Sequence, residues 1–168
     1  EDRYRVPDGF SVSLYATDLR RARFLRFTPS GDLLVSRPSL GDVVLLHRDE
    51  DGDGAADGMT TLLSDLHNPR GLDLVDGWLY IAESTQVGRV RYDAENRVLR
   101  GSYTAIIEGL TANGNHGQKS LRIGPDKKLY LSQGSTCNIC VEEDERRAAI
   151  SRFDLDGSNA ELIATGLR

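Results

Sequence analysis

Three segments of this chain repeat one strand-turn-strand pattern at a nearly constant interval, and this repeat restricts the fold more than any other feature. Residues 24–36 read FLRFTPSGDLLVS, residues 71–83 GLDLVDGWLYIAE and residues 120–132 SLRIGPDKKLYLS. Leu25, Leu72 and Leu121 occupy equivalent positions, 47 and then 49 residues apart, close to the period of a four-stranded propeller blade. Helical solenoids share that period. Here, however, the apolar positions alternate by two, as in Leu25/Phe27, Leu72/Leu74 and Leu121/Ile123, and Pro, Gly and Asp separate the short runs. The expected class is all-β: a β-propeller of four-stranded antiparallel blades.

Each repeat continues with a third strand, around Val43 to Leu46, Val87 to Tyr92 and Ala149 to Phe153. An acidic turn and a fourth strand follow, at Met59 to Leu63, Tyr103 to Ile107 and Glu161 to Ala164. Matching short exits close the units at Asp65-Leu66-His67, Gly109-Leu110-Thr111 and Gly166-Leu167-Arg168. Blade-like repeats are therefore expected at about 22–66, 69–110 and 116–167, forming one propeller segment over 1–168. Three blades do not close a ring, so the chain reads as a fragment of a larger propeller, with an exposed sheet face on its first and last blades. From each rim strand the chain must cross one face to start the next blade near the axis. These crossings bring His67, Asn68 and Arg70, then Asn115, His116 and Gln118, then Arg168, to one mouth.

With 39% apolar and 28% charged residues the 168-residue chain has the composition of a domain that buries a core. The net charge of -5 is spread over interspersed acidic and basic residues, which disfavours binding to nucleic acid or to an anionic membrane. The longest apolar run, Val43-Val44-Leu45-Leu46, is far short of the roughly 18 residues that span a bilayer. The opening Glu1-Asp2-Arg3 lacks a signal-peptide pattern, which fits either a cytosolic chain or a secreted one already processed.

Two local constellations carry possible chemistry. In Asp49-Glu50-Asp51-Gly52-Asp53-Gly54-Ala55-Ala56-Asp57, oxygen ligands fall at loop positions one, three, five, seven (the Ala55 carbonyl) and nine, with glycine at six. This spacing matches the front of an EF-hand-type calcium loop, although position twelve is Thr60 rather than the usual bidentate Glu. The four ligand-position carboxylates crowded into nine residues repel one another without a cation, so a structural, peripheral calcium is expected, with a polar hairpin turn as the alternative. The second constellation is Cys137 and Cys140. Val141 follows the second cysteine, which excludes c-type haem; no further zinc ligands cluster nearby, and an all-β pattern offers no helix N-terminus for a redox dithiol. A local disulfide, hence an oxidising compartment, is the remaining reading.

The segment from His116 through Gly124-Pro125-Asp126 to Leu129-Tyr130 resembles the glucose/sorbosone dehydrogenase family. The loop Gly134-Ser135-Thr136-Cys137-Asn138-Ile139-Cys140 and the run Arg146-Arg147-Ala148-Ala149-Ile150 are similar to its sorbosone-dehydrogenase branch. Lys119 departs from relatives, which often carry Gly or Arg there. The resemblance implies the N-terminal half of a periplasmic or extracellular propeller of about six blades, which oxidises a sugar or related alcohol or aldehyde with pyrroloquinoline quinone (PQQ) and calcium and passes electrons to an external acceptor. It makes His116 the general base. It also makes Arg168 a contact for the anionic cofactor; by position, Arg70 at the equivalent crossing of the second blade, with a solvated surface arginine as the alternative, and Gln118 beside His116 in sequence are further candidate contacts. An imidazole suits the role because it titrates near pH 6.5 and can accept an alcohol proton at neutral pH. Two other readings use the same fold: a noncatalytic propeller that binds carbohydrate or a protein partner, and a calcium-dependent lactonase-like hydrolase, for whose axial metal the crossings offer only Asn68 and Asn115.

Overall fold

The structure, a computed structural model, describes residues 4–167. Twelve strands form three separate four-stranded antiparallel sheets, each a simple meander. The first contains β1 (Phe24–Phe27), β2 (Leu33–Arg37), β3 (Asp42–His47) and β4 (Gly58–Leu63). The second contains β5 (Leu72–Val75), β6 (Trp78–Ala82), β7 (Val87–Asp93) and β8 (Val98–Ile107). The third contains β9 (Lys119–Ile123), β10 (Leu129–Gln133), β11 (Ala149–Phe153) and β12 (Glu161–Ala164). No helix among the described residues is long and apolar enough to cross a membrane.

Local sequence explains the strand boundaries. The two-residue Asp76-Gly77 turn has φ of 48° and 74°, the left-handed pair that matches the twist of a tight hairpin, and it joins β5 to β6 with Val75 opposite Trp78. The middle strands β2 and β3 are nearly continuous apolar runs because they are covered on both faces, whereas the edge strand β4 is half-buried or exposed throughout. β8 starts at Val98, five residues before the sequence expectation. Gly101, at φ 77°, and register shifts opposite Arg89 to Arg91 let Val98, Leu99 and Arg100 pair with the end of β7, although Arg100, Gly101 and Ser102 break the apolar alternation there.

The sheets stack face to face with β1, β5 and β9 adjacent, as the inner strands of neighbouring blades are. Leu34, Val43 and Leu45 of the first sheet meet Leu72, Leu79, Ile81, Val90 and Tyr92 of the second. Tyr80, Ala82, Val87 and Ile107 from the opposite face of the second meet Leu121, Leu129, Leu131 and Phe153 of the third. The outer face of the first sheet corrects one expectation. Tyr15, Ala16, Leu19 and Ala56 pack over Leu33, Val35, Val44 and Leu46, so the middle of this face is covered, and Leu25 and Phe27 on the inner edge, at 61% and 65% exposure, and Met59 on the outer edge, at 47%, stay open.

This topology sorts the loops between two ends. The blade-to-blade crossings and the β2–β3, β6–β7 and β10–β11 loops lie at one end of the sheets, and the β3–β4 loop with its acidic run lies at the other.

Candidate functional site

The crossing from β8 to β9 carries His116 and lies against the β10–β11 loop. The Asn115 amide donates to the Thr136 carbonyl at 2.8 Å, and the Gly134 amide donates to the Gln118 carbonyl at 3.3 Å. Glycine is required at 134 by this close approach, because a Cβ there would run into the carbonyl oxygen of His116. His116 is half-buried, and its Nε2 lies 2.8 Å from Oδ1 of Asn138, which sits between Cys137 and Cys140. Those two cysteines are joined as a disulfide.

Two buried cations lie beneath the crossing. Lys119 is 1% exposed, and its Nζ donates to the carbonyls of Thr111 at 2.6 Å and Gly117 at 2.9 Å. Arg147 is 3% exposed and donates to the same Thr111 carbonyl at 3.1 Å and to the Ser135 carbonyl at 2.9 Å. Both therefore stitch the crossing, and Arg147 also ties it to the disulfide loop. Neither forms an ion pair among the described residues; Arg147 feels Glu142, whose carboxylate is bound by the backbone and hydroxyl of Thr136. Burial, reinforced by the nearby Arg147 charge, pushes the Lys119 ammonium down to about 8. The unfolded chain, with a lysine near 10.4, binds the proton more strongly across that interval, so stability is expected to rise as pH increases from 8 to 10. Lys119→Met should flatten this part of the profile, measured by urea unfolding at the two pH values; an unchanged slope would contradict the assignment to Lys119.

The crossing from β4 to β5 is pinned instead by a buried carboxylate. Glu83 accepts from the His67 amide at 2.5 Å, Gln86 Nε2 at 2.6 Å and the Tyr103 hydroxyl at 2.8 Å. Burial, then the Glu83 charge, raises the Tyr103 phenol and keeps it a donor. On this crossing Asn68 donates to Ser84 Oγ at 2.7 Å. Arg70 is half-buried, and its Nε has no hydrogen-bond partner among the described residues. Burial, then repulsion from Arg23, lowers its pKa.

His116, Gln118 and Arg70 thus occupy the same end of the sheets, but no hydrogen bond links His116 to either of the other two. The Gln118 side chain is exposed, and Arg168 lies outside the described residues. Sequence reasoning missed Asn138, the Lys119–Arg147 pair and Glu83. The Asn138 position was visible only as part of a cysteine-flanked motif, Lys119 only as a departure from relatives and Arg147 only within a family-like run, and Glu83 gave no local signal.

At the opposite end, carboxylate oxygens of Asp49, Asp51 and Asp57 lie within 4.8 Å of one another. The loop also satisfies itself. Asp49 accepts from the amides of Gly52 and Gly54 at 2.7 and 2.8 Å, and Asp57 accepts from the Glu50 amide at 2.9 Å. The Asp53 carboxylate is not in the convergent group; it accepts from the amide of Ala55 at 2.8 Å instead. Three of the expected carboxylates therefore converge, and Asp53 is turned back on its own loop.

Residues 4–165 match the family described as TrAA12-like. The chain belongs to that family. No curated protein sequence matches this family member. Among solved structures, the holo form of the PQQ domain of a pyranose dehydrogenase from Coprinopsis cinerea aligns with TM-score 0.80 and 22% identity, over 92% of this chain and 39% of that one. A calcium structure of a Trichoderma reesei family AA12 carbohydrate-active enzyme aligns with TM-score 0.76 and 22% identity, over 91% and 40%. The PQQ-bound aldose sugar dehydrogenase of Streptomyces coelicolor aligns with TM-score 0.66 and 23% identity, over 87% and 48%. This family member thus spans about two fifths to a half of the length of those structures, and at such identities they establish its fold.

Proposed function

We propose that this chain contributes three blades to a closed propeller of about six blades that oxidises a sugar or related alcohol or aldehyde, with PQQ as hydride acceptor and an external acceptor taking the electrons onward. The observation that carries this reading is the position of His116. A half-buried imidazole is built into the loop end of the sheets by hydrogen-bonded crossings, in a chain of the TrAA12-like family whose structural neighbours include the holo form of a pyranose dehydrogenase PQQ domain and a PQQ-bound aldose sugar dehydrogenase.

The residues present suit an anionic quinone. Arg70 offers a buried, unpartnered Nε at the same end as His116, and a guanidinium that lacks a carboxylate partner is suited to a cofactor carboxylate. Gln118 is exposed on the next crossing, and Arg168 ends the third exit in the sequence. When bound, the quinone supplies the hydride acceptance, and calcium at the cofactor supplies Lewis acidity. His116 accepts the hydroxyl proton as the substrate C–H bond gives up its hydride, and the packed crossings hold the imidazole in place and limit the entry of water. The disulfide fits a periplasmic or extracellular protein.

Reconstitution of the complete protein with calcium and quinone, followed by dye reduction over a panel of sugars, tests the reading. Turnover of at least one sugar is expected, and none at saturating cofactor would sink it. We also propose a structural calcium in the Asp49–Asp57 loop, where a cation would relieve the repulsion among Asp49, Asp51 and Asp57. Calcium titration of the complete protein should release heat and raise its melting temperature, and Asp49→Asn with Asp51→Asn should abolish one of the binding events. A silent titration at millimolar calcium would reject that site.

A further inference from the structure

We propose that Asn138 is a positioning residue for His116: it fixes the imidazole proton on Nε2 and leaves Nδ1 as the proton-accepting atom, and the Cys137–Cys140 bridge holds it there. This deepens the reading of His116 as the base and rests on it.

An amide oxygen is only an acceptor. The 2.8 Å contact between Asn138 Oδ1 and His116 Nε2 therefore stabilises the tautomer that carries its hydrogen on Nε2. In that tautomer the remaining lone pair is on Nδ1. A base whose second nitrogen is tied to a fixed acceptor keeps both its protonation site and its ring orientation between turnovers, as when a general base is oriented by a third group.

The contact joins residues 22 apart in sequence, so the loop that carries Asn138 must be held independently of it. Core burial does not do this, because Ile139 and Val141, the apolar residues next to Asn138 and Cys140, are 95% and 94% exposed. Three other constraints do. The disulfide closes the loop on either side of Asn138. Glu142 accepts from both the amide and the hydroxyl of Thr136, which folds the far limb of the loop back onto its start. Arg147 and the Asn115 amide then fasten this start to the His116 crossing. The bridge lies in the one part of the loop that no buried side chain anchors, and Asn138 is inside it.

The His116 resonances are assigned by their loss in His116→Gln. In the complete protein with 15N-labelled histidine, long-range proton–nitrogen correlation should report His116 protonated at Nε2 and bare at Nδ1 in its neutral form. Asn138→Ala should bring in the second tautomer. Asn138→Asp, which keeps the acceptor, should retain the single tautomer. Reducing the disulfide, or replacing both cysteines by serine, should reproduce the Ala spectrum. In turnover, Asn138→Ala should lower kcat by about tenfold with KM little changed, and Asn138→Asp should restore part of it. A parent protein protonated at Nδ1, or an Asn138→Ala spectrum identical to the parent, overturns the positioning role whatever the turnover. Full turnover in His116→Gln with the expected tautomer results would overturn the base assignment alone.

Discussion

In the complete, cofactor-loaded propeller, His116→Ala should lower turnover by about 10²- to 10⁴-fold, the usual contribution of a positioned general base, and leave quinone affinity within about twofold. These two parts of the expectation come from different observations. The β8–β9 crossing offers two titratable side chains, Glu108 and His116, and among the described residues no carboxylate or amine hydrogen-bonds the imidazole to replace it: its side-chain partner is the uncharged Asn138. The proposed cofactor contacts, by contrast, lie on other residues, with Arg70 on the preceding crossing. Stopped-flow reduction of the bound quinone by sugar isolates the proton-coupled step, and quenching of protein fluorescence by the quinone gives its affinity. A variant that reduces the quinone at the parent rate would remove His116 as the base. Loss of quinone binding together with turnover would instead make it a cofactor ligand. Because the backbone of His116 packs against Gly134, and not its ring against the core, truncation of the ring should cost little stability.

The architecture was largely legible in the sequence, because a propeller blade is built from local meanders. Leu72, Leu74 and the Asp76-Gly77 turn define the β5–β6 hairpin within a dozen residues, and the same holds for Leu121 to Leu131. The parts that were not legible depend on contacts between residues distant in the chain. The long β8 depends on a glycine and a change of register rather than on alternation, so its first half had no periodic signal. The cover over the first sheet comes from Tyr15, Ala16 and Leu19, which precede the first repeat and follow no blade pattern. At the site, His116 stood out because a reactive side chain fell within a recognised motif. Lys119 read as an oddity in a strand, and its meaning emerges only when Thr111, Gly117 and Arg147 are brought around it. Of the acidic loop, the spacing predicted four converging carboxylates, and backbone geometry withdrew Asp53, because its oxygen accepts from an amide two residues on.

The same distinction bears on what holds the blades together at the axis, where Asp73 on β5 should prove the most costly single truncation for stability. Its carboxylate is 1% exposed, pairs with Arg26 Nε of β1 at 2.8 Å and accepts from the Ile123 amide of β9 at 2.7 Å, with Arg122 at 3.8 Å. One side chain therefore touches the inner strands of all three sheets. Asp73→Ala would leave a partly buried guanidinium without its counter-charge and a backbone amide without an acceptor. Breaking such a pair costs about 3–5 kcal/mol, far more than the apolar area lost with two carboxylate oxygens. Asp73→Asn keeps an acceptor for the Ile123 amide but loses the charge opposite Arg26, and about half that cost is expected. The Arg26→Met, Asp73→Leu double replacement should recover part of the loss, because it removes both charges together. Urea unfolding of the complete protein, of Arg26→Met, of Asp73→Leu and of their double replacement, taken as one thermodynamic cycle, measures the coupling. An Asp73→Ala cost below about 1 kcal/mol would mean that this carboxylate adds little to the joining of the sheets. A coupling energy near the full single-variant cost would instead assign the inter-blade register at the axis to this carboxylate, leaving the two apolar interfaces to supply adhesion without specifying alignment.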